Sequence, residues 1–100
     1  MKMFEFADID ALNCYRDVED KVLFFFEAPW CDECESFMDE IIAIQDEITI
    51  PLYRVELDMD GGDYISRKFC IDSTPTLILF SDGKEDKRIT DKNFLRELLS

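Results

Sequence analysis

The hydrophobic pattern changes period several times along the chain, and each change marks an element. Phe4 to Phe6 form a short edge-strand pattern. Asp8 then stands as an N-cap, with Leu12, Tyr15 and Val18 on one face of a first helix. "KVLFFFEA", residues 21–28, is a nearly continuous apolar run rich in aromatics, the pattern of a central strand covered on both faces. Pro29 ends it. From Cys31 the period becomes helical: Cys34, Phe37, Met38, Ile41, Ile42 and Gln45 share one side, and Asp32, Glu35, Ser36, Asp39 and Glu40 take the other. This helix is predicted to reach about Glu47.

Pro51 opens a second long strand, "LYRVELDMD", broken by Gly61 and Gly62, after which Asp63 caps a short helix through Phe69. Leu77 to Phe80 form a strand, Asp82-Gly83 signals a hairpin turn, and Lys87 to Thr90 form the return strand. "DKNFLRELLS" closes the chain as an amphipathic helix with Phe94, Leu95, Leu98 and Leu99 inward. The order β-α-β-α-β-α-β-β-α implies an α/β fold with a central mixed sheet and helices on both faces. Without repeat, low-complexity stretch or linker, the 100 residues are expected to form a single domain, 1–100.

Composition narrows the function. The formal net charge is −13, a surface that repels phosphate backbones, so no nucleic-acid partner is expected. The start, "MKMFEFADID", carries acids where a signal peptide needs an apolar stretch, and no apolar run approaches the roughly 20 residues that span a bilayer. The expectation is a cytoplasmic protein with no membrane partner. In a reducing compartment, four cysteines favour catalysis or metal binding over structural bridges. The absence of histidine removes Ser-His and Cys-His nucleophile pairs and mixed Cys/His zinc sites.

The chemistry converges on Trp30-Cys31-Asp32-Glu33-Cys34. Cys31 follows a buried strand and opens a helix, whose free N–H groups and partial positive charge favour a thiolate. Cys34, one turn later, points inward and lies within disulfide reach. That asymmetry predicts Cys31 as the attacking sulfur and Cys34 as the resolving one. Zinc uses the same spacing but needs about four ligands, and Cys14 and Cys70 do not make a second CxxC pair. A metal shared between two chains stays open, without support.

With Thr74-Pro75-Thr76 before "LILF", then Asp82-Gly83-Lys84, the chain resembles the thioredoxin family along nearly its whole length. The resemblance implies the thioredoxin fold and a thiol-disulfide oxidoreductase that reduces protein disulfides and draws electrons from a reductase. It implies that Pro75 is cis and packs beside the cysteine pair, that Thr74 offers its backbone to a substrate strand, and that Trp30 shields the pair. No flavin, nicotinamide or other cofactor is expected, and a monomer is the expected state. A thioredoxin-fold interaction module with little turnover is the alternative, supported by departures from the family pattern. Asp32-Glu33 replaces the usual Gly-Pro, and Glu35 replaces a basic residue. Phe25 stands where the family has a buried aspartate, and Glu56 where it has that aspartate's lysine partner. The "ITDKNF" loop is shorter and lacks the usual glycine.

The acids weigh against the helix. A helix N-terminus contributes about 0.3–1 kcal/mol to a nearby negative charge, and a like charge about 7 Å away costs about 0.5–1 kcal/mol. Asp32 and Glu33 are therefore expected to cancel the helix's help to the Cys31 thiolate, which makes the couple a reductant. They also stabilise the first helical turn, and both effects coexist. Glu27, on the same strand face as Phe25, is either a proton route for Cys34 or a solvated residue near the strand end. Cys14 reads as a buried thiol, whereas Cys70 stands near enough to Pro75 for a second, regulatory reading.

Overall fold

A computed structural model describes residues 3–5, 20–57 and 62–99. The expected helix from Asp8 and its Cys14 lie outside the described residues. Strand β1 is Met3–Glu5, β2 is Lys21–Glu27, and helix α1 is Asp32–Ala43, followed by a 3-10 turn at Gln45–Glu47. Strand β3 is Leu52–Glu56, α2 is Gly62–Lys68, β4 is Thr76–Ser81 and β5 is Lys84–Ile89. A 3-10 turn at Lys92–Phe94 runs into α3, Leu95–Leu99.

The five strands form one sheet in the order β1-β3-β2-β4-β5. β3 pairs parallel with β1 and β2, whereas β4 pairs antiparallel with β2 and β5. β2 is thus central, and its apolar run divides between two cores by the two-residue alternation of a strand. Leu23 and Phe25 join Leu52, Leu77 and Leu79 under Phe37, Met38 and Ile41 of α1, with Leu95 and Leu98 of α3. Val22, Phe24 and Phe26 join Tyr53, Val55, Ile78 and Phe80 on the other side, over Ile65 of α2 and Phe69. Phe24 lies among four rings, with centroids 5.1 Å from Phe80, 6.0 Å from Tyr53 and Phe69, and 6.2 Å from Phe26. Burying each such side chain contributes about 1.5–3 kcal/mol.

Several boundaries differ from the sequence reading. Helix α1 stops at Ala43 rather than near Glu47, and the Ile44 N–H turns back to the Ile41 carbonyl. Gln45 therefore leaves the helical register and is exposed. Ile42 is exposed too, because it lies roughly 80° around the helix from Cys34, at the stripe's edge. Strand β3 ends at Glu56, earlier than "LYRVELDMD" suggested, and β5 starts directly after the turn, at Lys84. Phe94 is not inward but 49% exposed. It sits in the 3-10 turn capped by Asp91, whose side chain accepts from the Asn93 N–H, while Leu95 and Leu98 face the core.

Candidate functional site

The carboxyl end of β2 delivers the cysteines. After Glu27 the chain turns through Pro29 and Trp30, and Cys31 takes the N-cap of α1 in an extended conformation, φ −101° and ψ 102°. Its Sγ accepts from the Cys34 N–H at 3.1 Å, the bond an N-cap serine or aspartate would make through oxygen. Cys31 and Cys34 form a disulfide with Cα atoms 5.2 Å apart. Cys34 is 4% exposed and belongs to the core beneath α1, whereas Cys31 is half-buried at its edge. One turn of helix thus gives the two sulfurs different access to solvent.

The neighbours come from three elements. The Thr74–Pro75 bond is cis, and Pro75 is buried. The β2–β4 register pairs Phe26 with Thr76, so Pro75 lies at the sheet end from which the cysteine turn emerges. Thr76 closes that approach by donating its hydroxyl to the Ser73 carbonyl at 2.7 Å. Trp30 is 74% exposed beside Cys31. Asp32, Glu33 and Glu35 occupy the first turn of α1, all exposed. Lys92 reaches back to donate to Ser36 of α1.

Below the disulfide, Phe25 is fully buried with its ring 5.3 Å from that of Phe37. Where the resemblance expects a carboxylate, this chain packs two aromatics. A carboxylate stands further along: both Glu27 oxygens accept from Arg54, at 2.7 and 2.8 Å. Glu27, Arg54 and both cysteines line one cavity of about 190 Å³. The solvated-residue reading of Glu27 is corrected accordingly, since its side chain is 13% exposed in a bidentate ion pair. The sequence reading missed Arg54. Its signal was a charged residue between Tyr53 and Val55 in an otherwise buried strand, which requires a partner.

Cys70 is free and exposed, unlike an ordinary buried thiol. It follows α2 with φ 54°, and the Arg88 guanidinium binds its carbonyl at 2.8 Å and that of Phe69 at 2.6 Å. Among the described residues no three His, Cys, Asp or Glu side chains are grouped to hold a metal ion, and no helix is long and apolar enough to cross a membrane.

A mixed sheet that presents a helix-capping cysteine pair beside a cis-proline turn defines the class of thioredoxin-fold proteins. Comparison with known proteins agrees. Residues 9–100 match the family model described as Thioredoxin. Thioredoxin of Mycoplasmoides gallisepticum is 39% identical over 99 residues, covering 93% of this chain and 92% of the relative. Thioredoxin of Chlamydia muridarum is 37% identical over 82 residues, covering 79% of each. Oxidised thioredoxin O2 from Arabidopsis thaliana superposes with a TM-score of 0.86 at 21% identity, over 98% of this chain and 91% of that one. A Halobacterium salinarum thioredoxin mutant gives 0.80 at 20% identity, over 97% and 87%. The chain belongs to the thioredoxin family. It is a thiol-disulfide oxidoreductase, acting through the Cys31–Cys34 couple.

Proposed function

We propose that the protein reduces protein disulfides in the cytoplasm, with Cys31 attacking and Cys34 resolving, and that a reductase returns the electrons. The observation that carries the division of roles is the burial of Cys34 at 4% against a half-buried Cys31 whose Sγ accepts the Cys34 N–H. In the reduced protein the Cys31 thiolate attacks a substrate disulfide. A Cys31–substrate bond forms, and one substrate sulfur leaves as a thiolate that takes up a proton. Cys34 then loses its proton to water in the adjoining cavity and attacks Cys31 Sγ. The Cys31–Cys34 disulfide forms, the second substrate sulfur leaves, and two electrons have passed to the substrate.

Trp30, Thr74 and Pro75 form the substrate rim in this reading, with the Thr74 backbone pairing strand-fashion to the incoming peptide. Asp32 and Glu33 oppose the helix's support of the Cys31 thiolate, which keeps the couple reducing. Trapping tests the roles. Cys34→Ser is expected to accumulate a mixed disulfide with an oxidised protein substrate, visible on a non-reducing gel, whereas Cys31→Ser is not. In dithiothreitol-driven insulin reduction, Cys31→Ser should fall to the uncatalysed rate. Equal rates for Cys31→Ser and wild type would defeat the assignment and favour an interaction module.

A further inference from the structure

Arg88 reaches from the edge strand β5 to the end of a helix. It stands opposite Ile78 in the β4–β5 register, so its side chain emerges on the sheet face that carries Phe69 and Ile71. There its Nη1 donates to the Cys70 carbonyl at 2.8 Å and its Nη2 to the Phe69 carbonyl at 2.6 Å. Glu85 holds the same guanidinium through both carboxylate oxygens, at 2.7 and 3.2 Å, which fixes the orientation of the planar fork. The two carbonyls belong to the termination of α2. The Ile71 N–H donates to the Ser66 carbonyl at 2.8 Å and the Cys70 N–H to that of Arg67 at 3.4 Å, with Cys70 at φ 54°. This is a left-handed helix end, where glycine is usual and a Cβ is disfavoured. Cys70 holds that conformation with its Cβ, and its carbonyl and that of its neighbour are bound by a cation. Only Ile71 to Thr74 separate this turn from Pro75, and at the far end the Thr76 hydroxyl binds the Ser73 carbonyl.

We propose that Arg88 is a positioning residue for substrate binding: by clamping the Phe69 and Cys70 carbonyls it holds Cys70 in the left-handed conformation that sets the path of the chain to Thr74 and Pro75. This rests on the reading of Thr74 and Pro75 as the substrate rim. Arg88 does not line the cavity shared by the two sulfurs, so it acts on the peptide that docks and not on the thiol chemistry. A substrate that pairs with the rim feels the loss of the clamp. A small disulfide that meets only the sulfurs does not.

The test compares two such disulfides. Pre-reduced full-length protein is mixed with insulin or with bis(2-hydroxyethyl) disulfide. Oxidation of Cys31 and Cys34 is followed by alkylation and peptide mass, which keeps any reaction of Cys70 apart. Arg88→Met should lower the second-order rate constant for insulin about fivefold, the weight of the lost carbonyl bonds, and leave that for the small disulfide within about twofold of wild type. Adding Cys70→Gly to Arg88→Met should recover most of the insulin rate, because glycine adopts the left-handed conformation unaided. A residue that only supports the fold would slow both disulfides together or neither, and the glycine would not restore insulin; any of these results overturns the proposal. Should Arg88→Met fail to fold, Arg88→Lys decides. Its single ammonium lacks the fork that spans both carbonyls and Glu85, so the insulin rate should still fall, and no fall overturns the proposal. Pro75→Ala separates the two readings. Slower insulin reduction in Pro75→Ala but not in Arg88→Met defeats the role of Arg88 alone. Unchanged insulin reduction in Pro75→Ala defeats the rim reading, and this proposal with it.

Discussion

Phe25 shows how much one residue decides. Its ring is fully buried against Phe37, under the helix that carries both cysteines. Phe25→Ala should cost about 3–5 kcal/mol of stability in denaturant unfolding, the usual penalty for deleting a core aromatic. Phe25→Asp, which restores the charge typical of the resemblance, should cost more, because the described core around that ring is built of apolar side chains and the Cys31–Cys34 disulfide. A Phe25→Asp protein as stable as wild type would show that the floor is not packed as described. At this scale the sequence was informative about what stood at each position and silent about what faced it. Cys31 at the helix start and Cys34 inward followed from local spacing, and Pro75 as cis from the family resemblance. The Arg54 partnership did not, since it depends on how two strands 27 residues apart line up. Cys70 also escaped: an exposed cysteine in the left-handed region has the same letter as a buried one.

The elements were legible where their signals are local. The run from Val22 to Phe26 could only be a strand covered on both faces, and the cores on either side divide it residue by residue. Asp82-Gly83 gave the hairpin, and both residues adopt positive φ, 53° and 80°. A Cβ is disfavoured at such a φ, so Gly83→Ala should cost about 1 kcal/mol while leaving disulfide reduction intact, read as a lowered Tm with an unchanged insulin assay. A rise in Tm would contradict the turn geometry. Helix ends were less legible. The stripe of α1 continues through Gln45 on paper, but the helix stops at Ala43, and the chain must turn toward β3. Phe94 looked inward from its spacing, yet the capped 3-10 turn before α3 rotates it outward. Caps and turns of this kind are settled by packing between elements, which periodicity does not contain.

Across the whole molecule, the fold places the reactive end of β2, the start of α1 and the turn into β4 at one end of the sheet. The element order gave the mixed sheet, and the family resemblance implied that Pro75 stands beside the cysteine pair. The net charge of −13 bears on partners rather than on the fold. If reductase and substrates meet the acidic site with positive faces, the rate constant for reducing a positively charged disulfide peptide should fall as salt is raised from about 10 to 200 mM, while a neutral peptide is little affected. Equal salt responses would remove steering from the account.

The most direct test of the central claim is the redox equilibrium of the Cys31–Cys34 pair in glutathione buffers, read by the mass added on alkylating the reduced fraction. The expected result is a reversible two-electron couple whose midpoint is more reducing than glutathione itself. A pair that does not cycle, or that stays reduced where glutathione is largely oxidised, would contradict it.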